Sequence, residues 1–533
     1  MNPAPLSLVP ARRSLTGWAV LAVAMVIGSY LTTLLLAAAC AFLPFLLIGA
    51  IGIGFQTLVL MFCGLVMAAT ILWSLVPRRD IFTPPGVLLS PSDQPRLFRA
   101  LEEVAGTLRE PLPREVYLIP DVNAWVAERG GTMGFGSRRV MGLGLSLMQI
   151  LSVSEFRAVL AHEFGHFYGG DTRMGPWVYK ARAAMVRTLT HLGSPSALLD
   201  AVTSLVLARL AYQLVLATLV AYWKLFLRAT QLVSRRMEFR ADELACCLVG
   251  SEALIDGLRG IHGASGALPA FWQTEVVPLV EAGFHPPIAE GFGRFVAAPG
   301  VAKAISENLE MQLGQAKTAP YDSHPPLRER IAAARALSGR GKMETDPPAI
   351  TLLDGVEALE LRLLEKLNPK LKTAALKLVR WEEVGSRVRL PIWKRWLGEY
   401  PTLLAGLTAE SLPEAVRNRR ELGSRIRDPK GTLLTREQRD QRACALLSIA
   451  FALAVMNNGW ELQTQPGQFC LQRGDQQLTP EELIEEMKSG KLTTEAWATR
   501  CRDAGIAGLR LDGSGQAAGA ESTPGERPAH PQA

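Results

Sequence analysis

Residues 152–166 read SVSEFRAVLAHEFGH, and this stretch predicts the helix around which the rest of the fold is arranged. Ser152 and Glu155 have the spacing of a capping box, in which the two side chains satisfy backbone N–H groups at the start of a helix. Apolar residues follow at helical spacing, so one face of this helix is expected to be buried. His162 and His166 lie one turn apart close to its end.

His162, Glu163 and His166 together form an HExxH motif. Positions i and i+4 share one face of a helix, so the two imidazoles can converge on a single metal ion. Zinc suits imidazole and carboxylate ligands. Glu163 lies one position further round, where it could take a proton from a metal-bound water as a general base. The alternative is a helix that carries two solvated histidines by chance.

A third ligand has to come from elsewhere in the chain. Thr172 stands where a longer form of the motif has a third histidine, which excludes that class of site. Asp171 is expected to cap or buttress the end of the helix. Glu238 and Asp242 form an acidic pair on one face of a second helix, and such a pair is destabilising unless a cation lies nearby. The alternative is a charged surface that is salt-bridged by neighbouring arginines.

The N-terminal region predicts a membrane anchor, because no charged residue occurs from Gly17 to Val76. A single crossing needs about 20 apolar residues. We place two transmembrane helices near Gly17–Cys40 and Phe45–Val76, with Pro44 near the turn. Positive charge at both outer ends predicts that both ends are cytoplasmic; the residues concerned are Arg12, Arg13, Arg78 and Arg79.

Composition narrows the class of protein further. The net charge is only +7, and the basic residues are scattered along the chain, so no nucleic-acid partner is expected. Seven irregularly spaced cysteines without a CxxC pair give neither a disulfide framework nor a thiolate zinc site. At 533 residues the chain has room for two or three domains.

The remaining pattern predicts an α+β fold that is mainly helical. Strand signals at 116–119, 123–126 and 140–143 predict a small sheet before the HExxH helix. The other predicted elements are an amphipathic helix at 92–109, a charged helix at 356–380, a buried helix at 443–456, a hairpin at 460–473 and two short helices at 479–505. The expected domains are a membrane anchor (1–79), a zincin-type catalytic domain with an edge sheet (80–340), a mainly helical accessory domain (341–511) and a disordered tail (512–533).

Three ordered motifs resemble those of the integral-membrane zinc metallopeptidases typified by HtpX and the CAAX prenyl proteases. The resemblance covers roughly residues 90–335. The matching residues are His162-Glu163-Phe164-Gly165-His166 with Asp171, then Glu238-Phe239-Arg240-Ala241-Asp242, then Ser323-His324-Pro325-Pro326-Leu327 with Arg330-Ile331.

The resemblance implies a role for several of these residues. Glu238 would be the third ligand of one zinc ion per chain, and Asp242 would orient a liganding histidine through hydrogen bonds. His324 would donate to the oxyanion of the tetrahedral intermediate. An extended substrate would add to a strand edge in a cleft lined by Asn123, Ala124, Gly142, Leu143 and Gly144.

The chain departs from the membrane-rich members of this family. The CAAX prenyl proteases enclose their site with many spans, which puts a prenylated substrate in doubt here. Residues 210–227 are apolar but are flanked and interrupted by charge. A single crossing between His166 and Glu238 would separate two ligands by about 30 Å of hydrocarbon. We therefore expect this segment to cross an even number of times or not at all, and favour a long packed or interfacial helix.

Two functions follow from these patterns. The first is a metalloendopeptidase of the bacterial inner membrane, with its catalytic domain in the cytoplasm and damaged membrane proteins as substrates. The second is a membrane-bound scaffold with a vestigial metal site. Residues 460–500 resemble GYF-like adaptor modules, so the C-terminal domain is expected to bind a protein partner. The intact set of Glu163, Glu238 and His324 favours the enzyme.

Overall fold

The computed structural model describes eight ranges of the chain, and these form two compact units. The first unit runs to Leu268 and resumes over Ala304–Thr373; the second comprises Pro269–Lys303 and the chain from Ala374 onward. Both are mainly helical with small sheets, so the predicted α+β class is confirmed. The predicted domain limits at 79, 340 and 511 divide the chain differently and stay a prediction. The described residues are 16–76, 79–132, 136–168, 185–190, 206–314, 325–337, 346–426 and 434–512.

Two apolar helices open the described chain, α1 (Thr16–Ile51) and α2 (Phe55–Leu75). Both contain windows long and apolar enough to cross a membrane, Val23–Ala50 and Thr57–Leu75. The predicted turn near Pro44 is wrong, because α1 continues through this proline and ends at Ile51. The chain turns over residues 52–54, where Gly52 has a φ of +94° that favours glycine.

Pro44 is accommodated within α1 by its neighbour helix. A proline has no N–H to donate to the carbonyl four residues earlier, which is that of Cys40. Gly64 of α2 packs on this carbonyl so closely that a Cβ there would lie 2.1 Å from the Cys40 oxygen and 2.9 Å from the Pro44 ring. Close helix packing of this kind is typical of small residues in membranes.

A four-stranded sheet follows in the order β1-β2-β4-β3. Its strands are β1 (Val87–Leu89), β2 (Glu115–Ile119), β3 (Ala124–Arg129) and β4 (Arg138–Gly144). The central pair β2 and β4 is parallel, and β3 runs antiparallel to β4. The three predicted strand segments are therefore confirmed, and β3 forms one edge of the sheet.

Helices pack around this sheet. The predicted helix at 92–109 is confirmed as α3 (Pro95–Leu108), whose apolar face is buried. The chain then continues from β4 into α4 (Leu145–Ile150) and α5 (Val153–Gly165). A short 3-10 segment, Ala349–Leu352, extends from an isolated bridge between Ser152 and Pro348 that lies beside the start of α5.

The longest helix among the described residues is α6 (Val206–Leu248), which has 43 residues and spans about 65 Å. Its first half packs beside the N-terminal hairpin. Leu219 lies in an apolar cluster with residues of α1 and α2, and Phe226 in another with Val26 and Met185. The Tyr222 hydroxyl donates to the Met25 carbonyl at 2.8 Å. Of the two expected forms for residues 210–227, a long packed or an interfacial helix, the contacts agree with the packed one.

The remaining helices of the first unit include Ser251–Ser265, Leu327–Arg335 and Val356–Leu367. The predicted helix at 356–380 is too long: it ends at Leu367. Pro369 explains the end, because the residue before a proline disfavours helical backbone angles.

The second unit has its own core around the buried helix Arg436–Met456, in agreement with the prediction for 443–456. The hairpin predicted at 460–473 and the two short helices predicted at 479–505 are also present. All seven cysteines of the chain are free thiols. The bounds of its main elements are Leu268–Phe271, Val277–Glu281, Ile288–Ala297, Trp381–Val384, Leu390–Gly398, Leu412–Arg417, Arg419–Arg425, Glu461–Gln465, Gln468–Arg473, Gln476–Leu478, Pro480–Ser489 and Thr494–Asp503. The helix Pro299–Gly314 begins in the second unit and ends in the first.

Candidate active site

The start of α5 is fixed by the capping box that the sequence predicts. The Ser152 hydroxyl accepts the Glu155 N–H at 3.3 Å, and the Glu155 carboxylate accepts the Ser152 N–H at 2.9 Å. Because the cap sets where the helix begins, it also sets which face His162 and His166 occupy. His162 is buried, and His166 stands at the end of the helix.

Two helices meet at this position because Gly165 has no side chain. A Cβ on Gly165 would lie 3.1 Å from the Cα of Ala241 in α6, closer than ordinary side-chain contacts. The crossing point lies between the histidines of α5 and the acidic pair of α6. Close approach of the two backbones therefore brings Glu238 to the histidines.

Three potential ligand atoms converge where the helices cross. The Nε2 atoms of His162 and His166 are 3.2 Å apart. The carboxylate oxygens of Glu238 lie 3.5 Å from the His162 Nε2 and 3.7 Å from the His166 Nε2. These are the residues that the resemblance implies as the ligand set, and the structure brings all three together.

The spacing of these donors fits a tetrahedral metal ion. Zinc–nitrogen and zinc–oxygen bonds of about 2.0–2.1 Å place neighbouring ligand atoms roughly 3.3 Å apart in a tetrahedron. The three separations, 3.2, 3.5 and 3.7 Å, are close to that value. Three protein ligands leave a fourth position, which is the pattern of catalytic rather than structural zinc sites.

Behind the ligands lies a buried network of charged groups. Asp242 contacts the His162 Nδ1 at 2.9 Å, so this ring presents its Nε2 toward the other ligands. Arg330, from the helix Leu327–Arg335, binds both Asp242 oxygens at 2.8 and 2.6 Å. Its guanidinium also lies 3.5 Å from Glu238. The positive charge of Arg330 thus compensates the negative charges of the two buried carboxylates.

The electrostatics favour protonation states that can bind a metal. Burial lowers the pKa of His166 to about 4, and the nearby His162 acts in the same direction. The His166 ring is therefore neutral at pH 7, as a metal ligand must be. Burial by itself would raise the pKa of Asp242, but hydrogen bonds from Arg330 and His162 outweigh it and hold that pKa at about 2.

Glu163 lies between the ligand set and the edge of the sheet. The backbone N–H of Val126 in β3 donates a hydrogen bond to the Glu163 carboxylate. Desolvation by the surrounding protein, together with the charge of Glu238, raises the pKa of Glu163 to about 7, although His162 and the Val126 hydrogen bond lower it. Glu163 is thus poised to exchange a proton near neutral pH.

The predicted substrate-binding residues take two different places. Asn123 and Ala124 lie at the start of β3, the edge strand. Gly142, Leu143 and Gly144 lie in β4, which pairs with β2 on one side and β3 on the other. Their backbone groups are used within the sheet, so on this side of the described sheet an added strand would pair with β3.

Sequence reasoning assigned no role to Gly165, Arg330 or Val126. Arg330 stands in a motif that the resemblance uses, but its partner Asp242 is 88 positions away, and spacing alone does not reveal such a contact. His324 and Asp171, which are predicted to act beside the metal, lie outside the described residues.

The contact at Gly165 leads to a testable prediction. We expect Gly165→Val to push α5 and α6 apart, because a Cβ at this position already lies 3.1 Å from the Ala241 backbone. Zinc affinity, measured by competition with a coloured chelator, should fall by at least tenfold. The matched control is Gly106→Val on the α3 helix, where nothing lies within 4 Å of an added Cβ. An unchanged zinc affinity in Gly165→Val would mean that the crossing is not needed for the site.

Arg330 gives a second prediction. In Arg330→Met, Asp242 and Glu238 lose the guanidinium that balances them; breaking a buried charge pair costs about 3–5 kcal/mol. Loss of a group that orients a ligand typically lowers metal affinity about 10–100-fold. We expect lower thermal stability of the zinc-free protein and weaker zinc binding, whereas Arg328→Met, at an exposed position of the same helix, should change neither. Wild-type values for both measurements in Arg330→Met would contradict the positioning role.

Comparisons with known proteins agree with this geometry. Residues 91–338 match the family described as Peptidase family M48. Protease HtpX of Pseudomonas putida is 29% identical over 238 residues, which cover 42% of this chain and 68% of that protein. The HtpX homologs of Kineococcus radiotolerans and Syntrophobacter fumaroxidans are 28% and 26% identical, each over 47% of this chain and over 76% and 78% of their own lengths. No solved structure matches the chain at a significant level.

The matched segment contains every ligand candidate, both helices that supply them and the edge strand beside Glu163. Residues 91–338 therefore match a peptidase family M48 domain, and this match together with the HtpX relatives indicates a metallopeptidase.

Proposed function

We propose that this protein is a zinc-dependent endopeptidase that acts at the cytoplasmic face of a bacterial inner membrane. The observation that carries the proposal is the convergence of two imidazole nitrogens and one carboxylate at 3.2–3.7 Å. A vestigial scaffold would have no reason to keep this donor set together with Glu163 and its Val126 hydrogen bond.

The residues of the chain divide the catalytic work. Zinc, when bound by His162, His166 and Glu238, lowers the pKa of a water molecule toward about 7 and polarises a carbonyl group. Glu163 takes a proton from water and delivers it to the leaving amine. Asp242 holds the His162 ring in the tautomer that presents its Nε2. We assign to His324 the stabilisation of negative charge on the substrate oxygen, as the resemblance implies.

The position of β3 at the edge of the described sheet suggests how a substrate binds. An extended peptide can add to a free strand edge through main-chain hydrogen bonds. Such binding requires an extended, unfolded segment and depends little on the identity of its side chains. Together with a membrane anchor, this favours turnover of damaged membrane proteins over processing of one defined sequence.

We further propose that the first half of α6 lies in the bilayer beside the hairpin. It packs against α1 and α2, and residues 185–190 also contact them, since the hydroxyls of Thr188 and Ser74 are 2.5 Å apart. An even number of crossings between His166 and Glu238 keeps both parts of the metal site on one side. The first half of α6 exposes Leu210, Leu214 and Leu225, and the charged Arg209, Lys224 and Arg228 are exposed near its two ends.

The proposed activity is tested with the full chain purified in detergent. We expect about one zinc ion per chain and cleavage of an unfolded protein such as reduced casein. Removal of zinc with 1,10-phenanthroline should abolish cleavage, and added zinc should restore it. Metal-free protein that cleaves casein at the same rate would overturn the proposal.

Topology is tested by protease protection. In inverted inner-membrane vesicles, added trypsin should digest the chain after Arg79, whereas in spheroplasts this region should be protected. The reverse pattern would place the catalytic unit outside the cytoplasm. Substrates are then sought as proteins that accumulate when Glu163→Gln replaces the wild-type enzyme.

A further inference from the structure

The second unit contains a cavity that the peptidase activity does not use. It has a volume of about 290 Å³, which is at the lower end of the range of about 300–1,000 Å³ for ligand pockets. It therefore has room for one long side chain. Apolar residues supply most of its wall, namely Pro278, Leu279, Val388, Ile392, Trp393, Ala445, Ile449 and Phe469.

Three charged groups also line this cavity, and their balance is negative. Glu275 is buried and forms an ion pair with Arg389. Its other oxygen accepts the Gly467 N–H at 3.1 Å, so both of its oxygens are used. Glu481 is the second carboxylate in the lining. Two carboxylates against one guanidinium leave one negative charge, and Glu481 has no ion-pair partner among the described residues.

The backbone around the charged pair is unusual. Glu275 lies in the π-helical segment Trp272–Val276, and Arg389 ends a second one, Gly385–Arg389. Such segments are rare and are frequently found at functional sites. Here both of them bring a charged side chain into the same cavity, an arrangement that ordinary core packing does not require.

An aromatic pair completes the wall. The rings of Trp393 and Phe469 lie with their centroids 4.9 Å apart. Aromatic faces accept both aliphatic stems and cations. Glu481 is exposed, so a cation from another molecule can reach its carboxylate.

We propose that this cavity receives a single arginine or lysine side chain from a segment of another protein. The cationic head would pair with Glu481, and its aliphatic stem would lie against Trp393 and Phe469. An anionic guest would meet an excess of carboxylate, and a purely apolar guest would cover the Glu481 carboxylate without pairing its charge. The long stem and charged end of arginine and lysine match this combination of walls.

The test uses the full chain carrying Glu163→Gln, so that no peptide is cleaved. Binding of two fluorescein-labelled peptides is compared by anisotropy: one has a central arginine among small apolar residues, and the other has citrulline, its neutral isostere, in the same place. We expect the arginine peptide to bind at least tenfold more tightly. Adding Glu481→Gln should remove this preference, whereas Glu482→Gln, at an exposed position next to it, should keep it.

Several results would overturn the proposal. Equal binding of the two peptides would show that Glu481 does not recognise the positive charge of the arginine. The same conclusion would follow if Glu481→Gln kept the preference for the arginine peptide. If free agmatine competes at the same concentration as the peptide, the guest is a small amine and the assignment to a protein segment is wrong. If Glu481→Gln alters thermal unfolding, a second variant, Ala445→Leu, is used instead, because it narrows the cavity from an exposed position. If Ala445→Leu still binds the arginine peptide more tightly than the citrulline peptide, the proposal is also overturned. None of these results depends on peptidase activity, so failure of either proposal leaves the other standing.

Discussion

Replacing Glu163 with glutamine is expected to lower casein cleavage by roughly 10³-fold, the middle of the range for loss of a general base, while zinc stays bound. Glutamine has the same shape as glutamate and can still accept the Val126 N–H, so the ligand geometry should persist. It has no carboxylate to take a proton. The measurement is the initial cleavage rate together with zinc content by atomic absorption.

The control for this substitution is Glu329→Gln, which removes one carboxylate from an exposed position on a helix of the same unit. It should cleave at the wild-type rate. Retention of most of the activity by Glu163→Gln would rule out Glu163 as the base. Loss of zinc from Glu163→Gln would instead indicate that this residue helps to hold the metal.

Glu238→Ala is expected to remove zinc altogether and, with it, all cleavage. It deletes the one carboxylate among the three donors, and two imidazoles alone hold zinc weakly. The buried Arg330 also loses a counter-charge 3.5 Å away. Zinc content after dialysis should fall from about one per chain to a small fraction, and millimolar zinc should restore activity only in part.

Glu243→Ala is the matched control, because it truncates a glutamate on the same helix, next to Asp242. It should keep both zinc and activity. A Glu238→Ala protein that holds one zinc ion tightly would mean that another residue supplies the third ligand, and the ligand assignment would then be wrong.

The start and the orientation of α5 can be predicted from the sequence because they depend only on residues within or next to the helix. The capping box of Ser152 and Glu155 starts α5, and the period of the apolar residues orients it. His162 and His166 follow one turn apart, so their convergence depends only on helix geometry. The choice of Glu238 came from the resemblance, because the residues themselves also allowed a surface acidic pair.

Other features depend on contacts between distant segments. Gly165 matters only because Ala241 packs against it, and Arg330 only because Asp242 is its partner. Pro44 was expected to end a helix, as it does in water, but the close contact with Gly64 lets α1 continue through it. In each case the deciding neighbour lies outside any sequence window, so no periodicity could have revealed it.

The length of α6 has a practical consequence. One uninterrupted rod joins Leu219 and Phe226, which are covered by the N-terminal hairpin, to Glu238, which faces the histidines. A truncated protein that starts after Arg79 would expose the apolar face of α6 to water. The resulting aggregation or rearrangement would also displace Glu238. Biochemical work on the metal centre should therefore keep the hairpin and report the detergent or lipid. The molecules that surround the first half of α6 also affect the position of Glu238 in the metal site.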